Sequence, residues 1–446
     1  MTTFRAPAFL TRAAELVATY GLAAAVLCLP LEFTTTFLHQ QLSRFVLLLV
    51  GVAYVYLVAV RRRDFVWPRS LSIWLLLALI LASVLSWAAT RAPHSINSLL
   101  DIALYPFVAL LVANLPLSQR DHQRAWIVFV ISGIAVALLG LVLYVTQLHI
   151  WTPNLAVANR LNITFADPNI TARFLTLAAC VAVLMFSARQ GPAWLAVSAV
   201  ICCAVVLPMT WSRSGLALFV VCMVVIVVVA LNHRRAAAIA GIALLAFAIS
   251  TGVNPDTRQR AGDAMATVAT AVTGHSAGPS TTPIPGQEGI ALEDNRVYLV
   301  AAGLKMFRDH PALGVGFGGY QNAMLTTYRS FLPQGYTDSV SHTSLITVLA
   351  EQGVVGAVLL VLFLLQLARD ALGARNRHDA WSFWSTLPGT LVIPIFLFSQ
   401  FEARFLQEPY LWLALGLYYS ARLLAQREGA IARAADQSRA TAAAAA

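Results

Sequence analysis

Apolar stretches of about twenty residues recur along this chain, separated by short polar breaks, and they constrain its fold more than any other feature. A helix rises 1.5 Å per residue, so crossing bilayer hydrocarbon takes about 20 mostly apolar residues. Candidate helices fall near 13–31, 43–60, 70–89, 97–115, 125–147, 170–187, 192–210, 214–231, 236–252, 343–368, 383–400 and 409–425. Composition agrees. The chain is 59% hydrophobic and 11% charged, where a soluble domain carries about 25% charged residues; mean hydropathy is +0.73. The expected fold class is an all-α polytopic membrane protein with about twelve transmembrane helices and a helical extramembrane loop region.

The net charge of +10 would suggest nucleic acid in a soluble protein. Here the basic residues punctuate the apolar runs, which fits membrane topology, and no nucleic-acid partner is expected. Lys305 is the single lysine. With Arg5 and Arg12 placed inside, the inside loops hold Arg61, Arg62, Arg63, Arg69, Arg120, Arg124, Arg189, Arg234, Arg235, Arg369, Arg375 and Arg377, and the tail adds Arg422, Arg427, Arg433 and Arg439. The outer loops and span ends hold Arg44, Arg91, Arg160, Arg173, Arg213 and Arg404. Positive residues favour the cytoplasmic side, so both termini are expected to be cytoplasmic. The expected division is 1–252 for helices one to nine, 253–342 for a large outer loop region, 343–425 for helices ten to twelve, and 426–446 for a disordered Ala-rich tail. The first apolar stretch lacks an A-x-A cleavage pattern and is expected to stay in place.

Within the outer loop region, Gly274, Gly278, Pro279, Pro283, Pro285 and Gly286 punctuate the first third. A helix is expected next, with Asp294 as N-cap and Val297, Val300, Leu304 and Phe307 as its apolar stripe, ending before Pro311. The run Gly314 to Tyr320, GVGFGGY, follows. It lacks the Lys-Ser/Thr and preceding strand of a nucleotide loop, and reads as a turn that brings backbone to the membrane surface. Cys28, Cys180, Cys202, Cys203 and Cys222 all lie in apolar runs and read as small core residues. No disulfide, metal site or cofactor is expected.

Ionisable residues at or in the membrane are costly and point to a function. Arg160, Arg173, Arg213 and Arg404 sit at outer boundaries. Snorkelling to headgroups is the plainer reading of one such arginine; several on one side favour bidentate anion binding. Asn169 and Arg173, four residues apart, share a helix face, while Asp167 and Asn169 flank Pro168 and could simply cap that helix. His342 opens the tenth helix; it reads either as a satisfied helix-terminal polar group or as a general base. Glu351, nine residues on, faces nearly the opposite way and reads as an intramembrane partner for an arginine. Arg296 and Lys305 are also nine apart and cannot easily grip one phosphate; Arg296, on the first turn, is preferred.

The chain carries, in order, Arg-Leu-x-x-x-Phe-x-x-Pro-Asn (Arg160 to Asn169), Thr210-Trp211-Ser212-Arg213-Ser214-Gly215, Arg296 opening an outer helix, His310-Pro311-x-Leu-Gly-Val-Gly, and His342 with Leu349-Ala350-Glu351-x-Gly353-x-x-Gly356. This ordered set of motifs resembles the O-antigen ligase superfamily of multi-spanning bacterial glycosyltransferases. The resemblance implies a GT-C-like fold and an inverting, metal-independent transfer from a glycan on undecaprenyl diphosphate. The partners it implies are that lipid-linked O-antigen, a lipid A-core acceptor and membrane lipids. It places the enzyme in the bacterial inner membrane with a periplasmic active site. His342 matches the family's essential histidine, and Arg213 and Arg296 its essential arginines; Thr343 stands where the family has Asn. Arg160, Arg173, Asn169 and Lys305 complete the expected diphosphate and substrate group, with Glu351 in support. Ligase is ranked first because the tail is short. An O-antigen polymerase and a protein O-oligosaccharyltransferase are the alternatives within the superfamily. A lipid-linked glycan transporter is the alternative from another class, disfavoured because no internal repeat is evident.

Overall fold

The computed structural model describes residues 7–38, 41–91, 96–151, 160–255, 257–259, 262, 295–332, 340–375, 380–402 and 405–445. Every described element is helical: α1 (Ala8–Cys28), α2 (Leu42–Ala59), α3 (Leu71–Thr90), α4 (Ile96–Asn114), α5 (Gln119–Thr146), α6 (Pro168–Ser187), α7 (Ala193–Val206), α8 (Arg213–Val229), α9 (His233–Val253), α10 (Asn295–Asp309), α11 (Tyr320–Leu325), α12 (Ser344–Arg375), α13 (Ser382–Ser399) and α14 (Pro409–Ala445), with a few short helical turns between them. Each apolar stretch read from the sequence is helical. Among the described residues, nine helices are long and apolar enough to cross a membrane, and Leu104–Asn114 and Arg213–Val229 are shorter apolar helices. The chain is a multi-pass membrane protein by these lengths and compositions.

Helix α6 is the central post. Nearly all of it is buried, and α5, α7, α8, α9 and α13 pack around it. Such burial requires an apolar surface all round rather than one stripe, and Ile170 to Met185 is apolar or small at almost every position. Two long-range pairings, α3 against α12 and α4 against α14, close the bundle. The lipid-facing helices carry exposed Leu48, Leu49, Trp74, Leu81, Val228, Leu245 and Leu365, as expected where the solvent is hydrocarbon.

The two ends of the bundle differ. At one end Arg422 Nη1 pairs with Asp370 Oδ2 at 2.6 Å, Ser70 Oγ donates to the same oxygen, and Arg375 meets His233. The arginine-rich connections lie at this end. The start of α12 is at the other end, with the starts of α6, α8 and α14.

Two expectations change. The last helix continues through the Ala-rich stretch expected to be disordered, to Ala445. At 1.5 Å per residue its 37 residues span about 55 Å, well beyond ~30 Å of hydrocarbon. Alanine is the strongest helix former, so the helix propagates past its packed half. In α10 the buried stripe is Leu299, Ala302 and Met306, one step round from the expected face, and Leu304 is exposed. The contact face was hidden because a glycine lies in it: a Cβ at Gly303 would come 2.5 Å from Ile346 Cγ2 on α12. The expected N-cap Asp294 lies outside the described residues.

Candidate functional site

The Arg160–Asn169 and Thr210–Gly215 motifs build one corner. Asp167 caps α6, accepting the Asn169 N–H at 2.6 Å, and Pro168 takes the first helical position, where no amide donor is missed. The Asn169 side chain is thereby released from capping. Its Oδ1 accepts from Ser212 Oγ at 2.6 Å and from Arg160 Nη2 at 3.2 Å. Arg160 Nε donates to the Thr210 carbonyl at 3.1 Å. Ser212 caps α8 through the Gly215 N–H at 3.0 Å, and Gly215 is required because a Cβ there would lie 2.5 Å from Ala172 Cβ on α6.

Arg213 is the first residue of α8. It is exposed. A cation on a first turn faces the positive end of the helix dipole, an unfavourable placement without an anion. Arg296 is the second residue of α10; only its backbone is described.

A second corner joins the glycine run to α12. The helix is broken at Gly353, φ 62° and ψ −158°. Across this break the Val315 N–H donates to the Ala350 carbonyl at 2.8 Å, the Gly316 N–H to the Glu351 carbonyl at 3.2 Å, and the Val354 N–H to the Pro311 carbonyl at 2.8 Å. Ser86 Oγ of α3 lies 2.7 Å from the Leu313 carbonyl and 2.6 Å from the Glu351 carbonyl. The backbones touch closely: a Cβ on Gly314 would sit 2.3 Å from the Glu351 carbonyl carbon, and one on Gly353 would sit 2.4 Å from that of Ala312. Among the described residues Glu351 pairs with no arginine, contrary to the expectation. Its carboxylate accepts the Gly318 N–H at 2.9 Å and the Tyr320 N–H at 3.0 Å. A turn with free backbone donors offers a buried carboxylate the partners it needs, with no cation required. The motifs around His310 and Glu351 are thus two halves of one backbone knot.

His342 lies just before α12, half-buried, beside buried Ser341. The first turn of α12 is tied to the connection between α13 and α14: the Phe405 N–H donates to Ser344 Oγ at 3.2 Å and the Leu345 N–H to Gln400 Oε1 at 3.3 Å.

That connection also carries Glu402 and Glu408, and both grip Arg173. The distances are 2.7 Å from Arg173 Nη1 to Glu402 Oε2 and 2.6 Å from Nη2 to Glu408 Oε2; the arginine side chain is 2% exposed and the carboxylates 9% and 2%. Sequence reasoning placed Arg173 with the phosphate-binding group, and the structure shows its guanidinium already bridging two acids. It missed Glu402 and Glu408, which are distant in sequence and form no motif. Their signal was two carboxylates in a short connection between apolar helices. Lys305 pairs with Asp309 on the outer face of α10, and Asp309 Oδ2 accepts from Tyr328 OH at 2.9 Å. The bonds from Lys305 and then Tyr328 hold the Asp309 carboxyl below its usual range. Burial, then the Asp309 bond, pushes Tyr328 up to about 12. Arg404 lies outside the described residues.

The starts of α6, α8 and α12 and the 400–408 connection are therefore linked in one chain of contacts. It runs from Ser344 and Leu345, just after His342 in sequence, to Phe405 and Gln400, whose neighbours Glu408 and Glu402 hold Arg173, then one turn along α6 to Asn169 and Ser212, the residue before Arg213.

A family model described as O-antigen ligase matches residues 175–361. The matched segment holds Arg213, Arg296, the glycine run, His342 and Glu351, and begins two residues after Arg173. No curated protein matches the chain.

Proposed function

The match over 175–361 supports the O-antigen ligase superfamily for this chain, a group of glycosyltransferase-like enzymes acting on lipid-linked glycans and an acceptor; from that premise we propose that it is the ligase itself. It moves O-antigen polysaccharide from undecaprenyl diphosphate onto a lipid A-core sugar hydroxyl, with inversion and without a metal, at the periplasmic face of the inner membrane.

The observation that carries this reading is the placement of His342 and an arginine-bearing polar network at the bundle end opposite the arginine-rich connections. By the positive-inside rule that end faces away from the cytoplasm. The donor is already activated as a diphosphate ester. His342 takes the proton of the acceptor hydroxyl. The hydroxyl oxygen attacks the anomeric carbon on the face opposite the leaving group, the bond from that carbon to the diphosphate oxygen breaks, and undecaprenyl diphosphate leaves with the electron pair. Arg213 and Arg296 would meet the developing phosphate charge, and Arg160 and Asn169 form the polar corner at the start of α8 that Arg213 opens; guanidinium groups can do this bidentately. Arg173 and Lys305 are not part of this group, since both are held by carboxylates.

A deletion strain tests the reading through its lipopolysaccharide ladder. The proposal requires bare core together with accumulated lipid-linked polymer. Core bearing one repeat unit would make the enzyme a polymerase, and an intact ladder would remove it from this reaction.

A further inference from the structure

We infer that Arg173 is a positioning residue: with Glu402 and Glu408 it forms a buried strut that locks residues 400–402 and 405–408 to α6 and so sets the position of His342. The inference rests on the reaction proposed above and deepens it.

The geometry argues first. Both terminal nitrogens of the guanidinium, the pair that would grip a phosphate side by side, are already engaged by carboxylates at 2.7 and 2.6 Å. Access argues the same way, because the arginine side chain is 2% exposed. Arginine suits this bridge and lysine does not: a planar fork reaches two acids on two sides at once, whereas an ammonium is a point charge on a flexible stem.

Connectivity supplies the positioning role. The Phe405 N–H, between the two glutamates, donates to Ser344 Oγ, two residues from His342. Gln400, before Glu402, accepts from Leu345. A connection held by Arg173 therefore presents two bonds to the first turn of α12. On α6, Arg173 lies one turn beyond Asn169, whose side chain gathers Ser212 and Arg160. The buried arginine and its two carboxylates thus reference the base and the arginine corner to the same helix. The isolated buried charge left by removing one partner is strongly unfavourable, which makes such a unit stiff.

The test is steady-state transfer by purified protein in lipid nanodiscs, paired with titration of undecaprenyl diphosphate. R173K keeps the charge and loses the fork. The strut predicts a fall in kcat of ten-fold or more, with the Kd for undecaprenyl diphosphate within two-fold of wild type. E408Q, which alters no cation, is expected to show the same split. R213A serves as the binding control and raises that Kd. A ten-fold higher Kd in R173K at near-normal kcat would overturn the strut and return Arg173 to the phosphate site. So would tighter binding in E408Q, since freeing the guanidinium would then have exposed a ligand. If R173K fails to insert, E408Q alone decides by the same criteria. Absence of transfer by the wild-type protein would overturn the proposed reaction, and the Kd comparison would then judge whether Arg173 binds the diphosphate.

Discussion

Gly353→Ala isolates the backbone knot. Gly353 has φ 62° and ψ −158°, a region of backbone space that is essentially reserved for glycine, so an alanine there costs about 1–3 kcal/mol in strain alone. Its Cβ would also sit 2.4 Å from the Ala312 carbonyl carbon and oxygen and 2.5 Å from the Pro311 oxygen. Carbon atoms pack at about 3.5–4.0 Å, so the strands of the knot must part by roughly an ångström. That movement breaks the bonds Val354 to Pro311, Val315 to Ala350 and Gly316 to Glu351, each worth about 1 kcal/mol net. The combined loss is about 4 kcal/mol or more, in the range reached by few single substitutions. Gly373 lies in the same helix, and a Cβ there would meet nothing within 4 Å, so Gly373→Ala is expected to be neutral or to stabilise by up to about 1 kcal/mol. Thermal unfolding of the detergent-solubilised variants compares them. A large drop in melting temperature is expected for Gly353→Ala and none for Gly373→Ala. Equal melting temperatures would show that the knot carries no such strain.

Glu351→Gln leaves one of the two N–H groups, of Gly318 or Tyr320, without its acceptor; a loss of about 1–3 kcal/mol is expected in the same melting assay. Asn169→Ala removes the shared acceptor of Ser212 and Arg160, and is expected to raise the donor KM several-fold with intact expression, read from initial rates in membranes. Asp309 has a depressed carboxyl, so its contribution is complete above the unfolded carboxylate value of about 3.9 and disappears as pH falls through its lower folded value. Proteolysis of the α10 region is therefore expected to be unchanged between about pH 7 and pH 5 and to accelerate only in stronger acid, whereas Asp309→Asn accelerates it at neutral pH. A neutral-pH digestion pattern identical to wild type would discount the Lys305–Asp309–Tyr328 group.

The helices were legible because hydrocarbon demands length and apolarity together, and both are written locally. The cap at Asp167, followed by Pro168, was legible for the same reason: its partner is two residues away. Partners remote in sequence were not. Glu402 and Glu408 meet Arg173 only once α13 packs on α6, and nothing in their neighbourhood marks that meeting. Glu351 was read as seeking a cation because a carboxylate in an apolar run looks unpaired on paper, whereas the chain supplies backbone donors through a turn thirty residues away. The α10 face was misplaced because apolarity marks large side chains, while the contact needed room at Gly303. The Ala-rich end reads as low in complexity, yet alanine needs little help to extend a helix already nucleated by Pro409 to Leu423.

The proposed reaction stands or falls on His342 as the group that removes the acceptor proton. The turnover of purified wild-type protein and His342→Ala, measured side by side with a defined undecaprenyl-diphosphate-linked glycan and a lipid A-core acceptor in the presence of a metal chelator, tests it. Steady transfer is expected from wild type, and a rate lower by about 10²–10⁴-fold from the variant, with the diphosphate still bound. Transfer by His342→Ala at the wild-type rate would remove His342 from the chemistry.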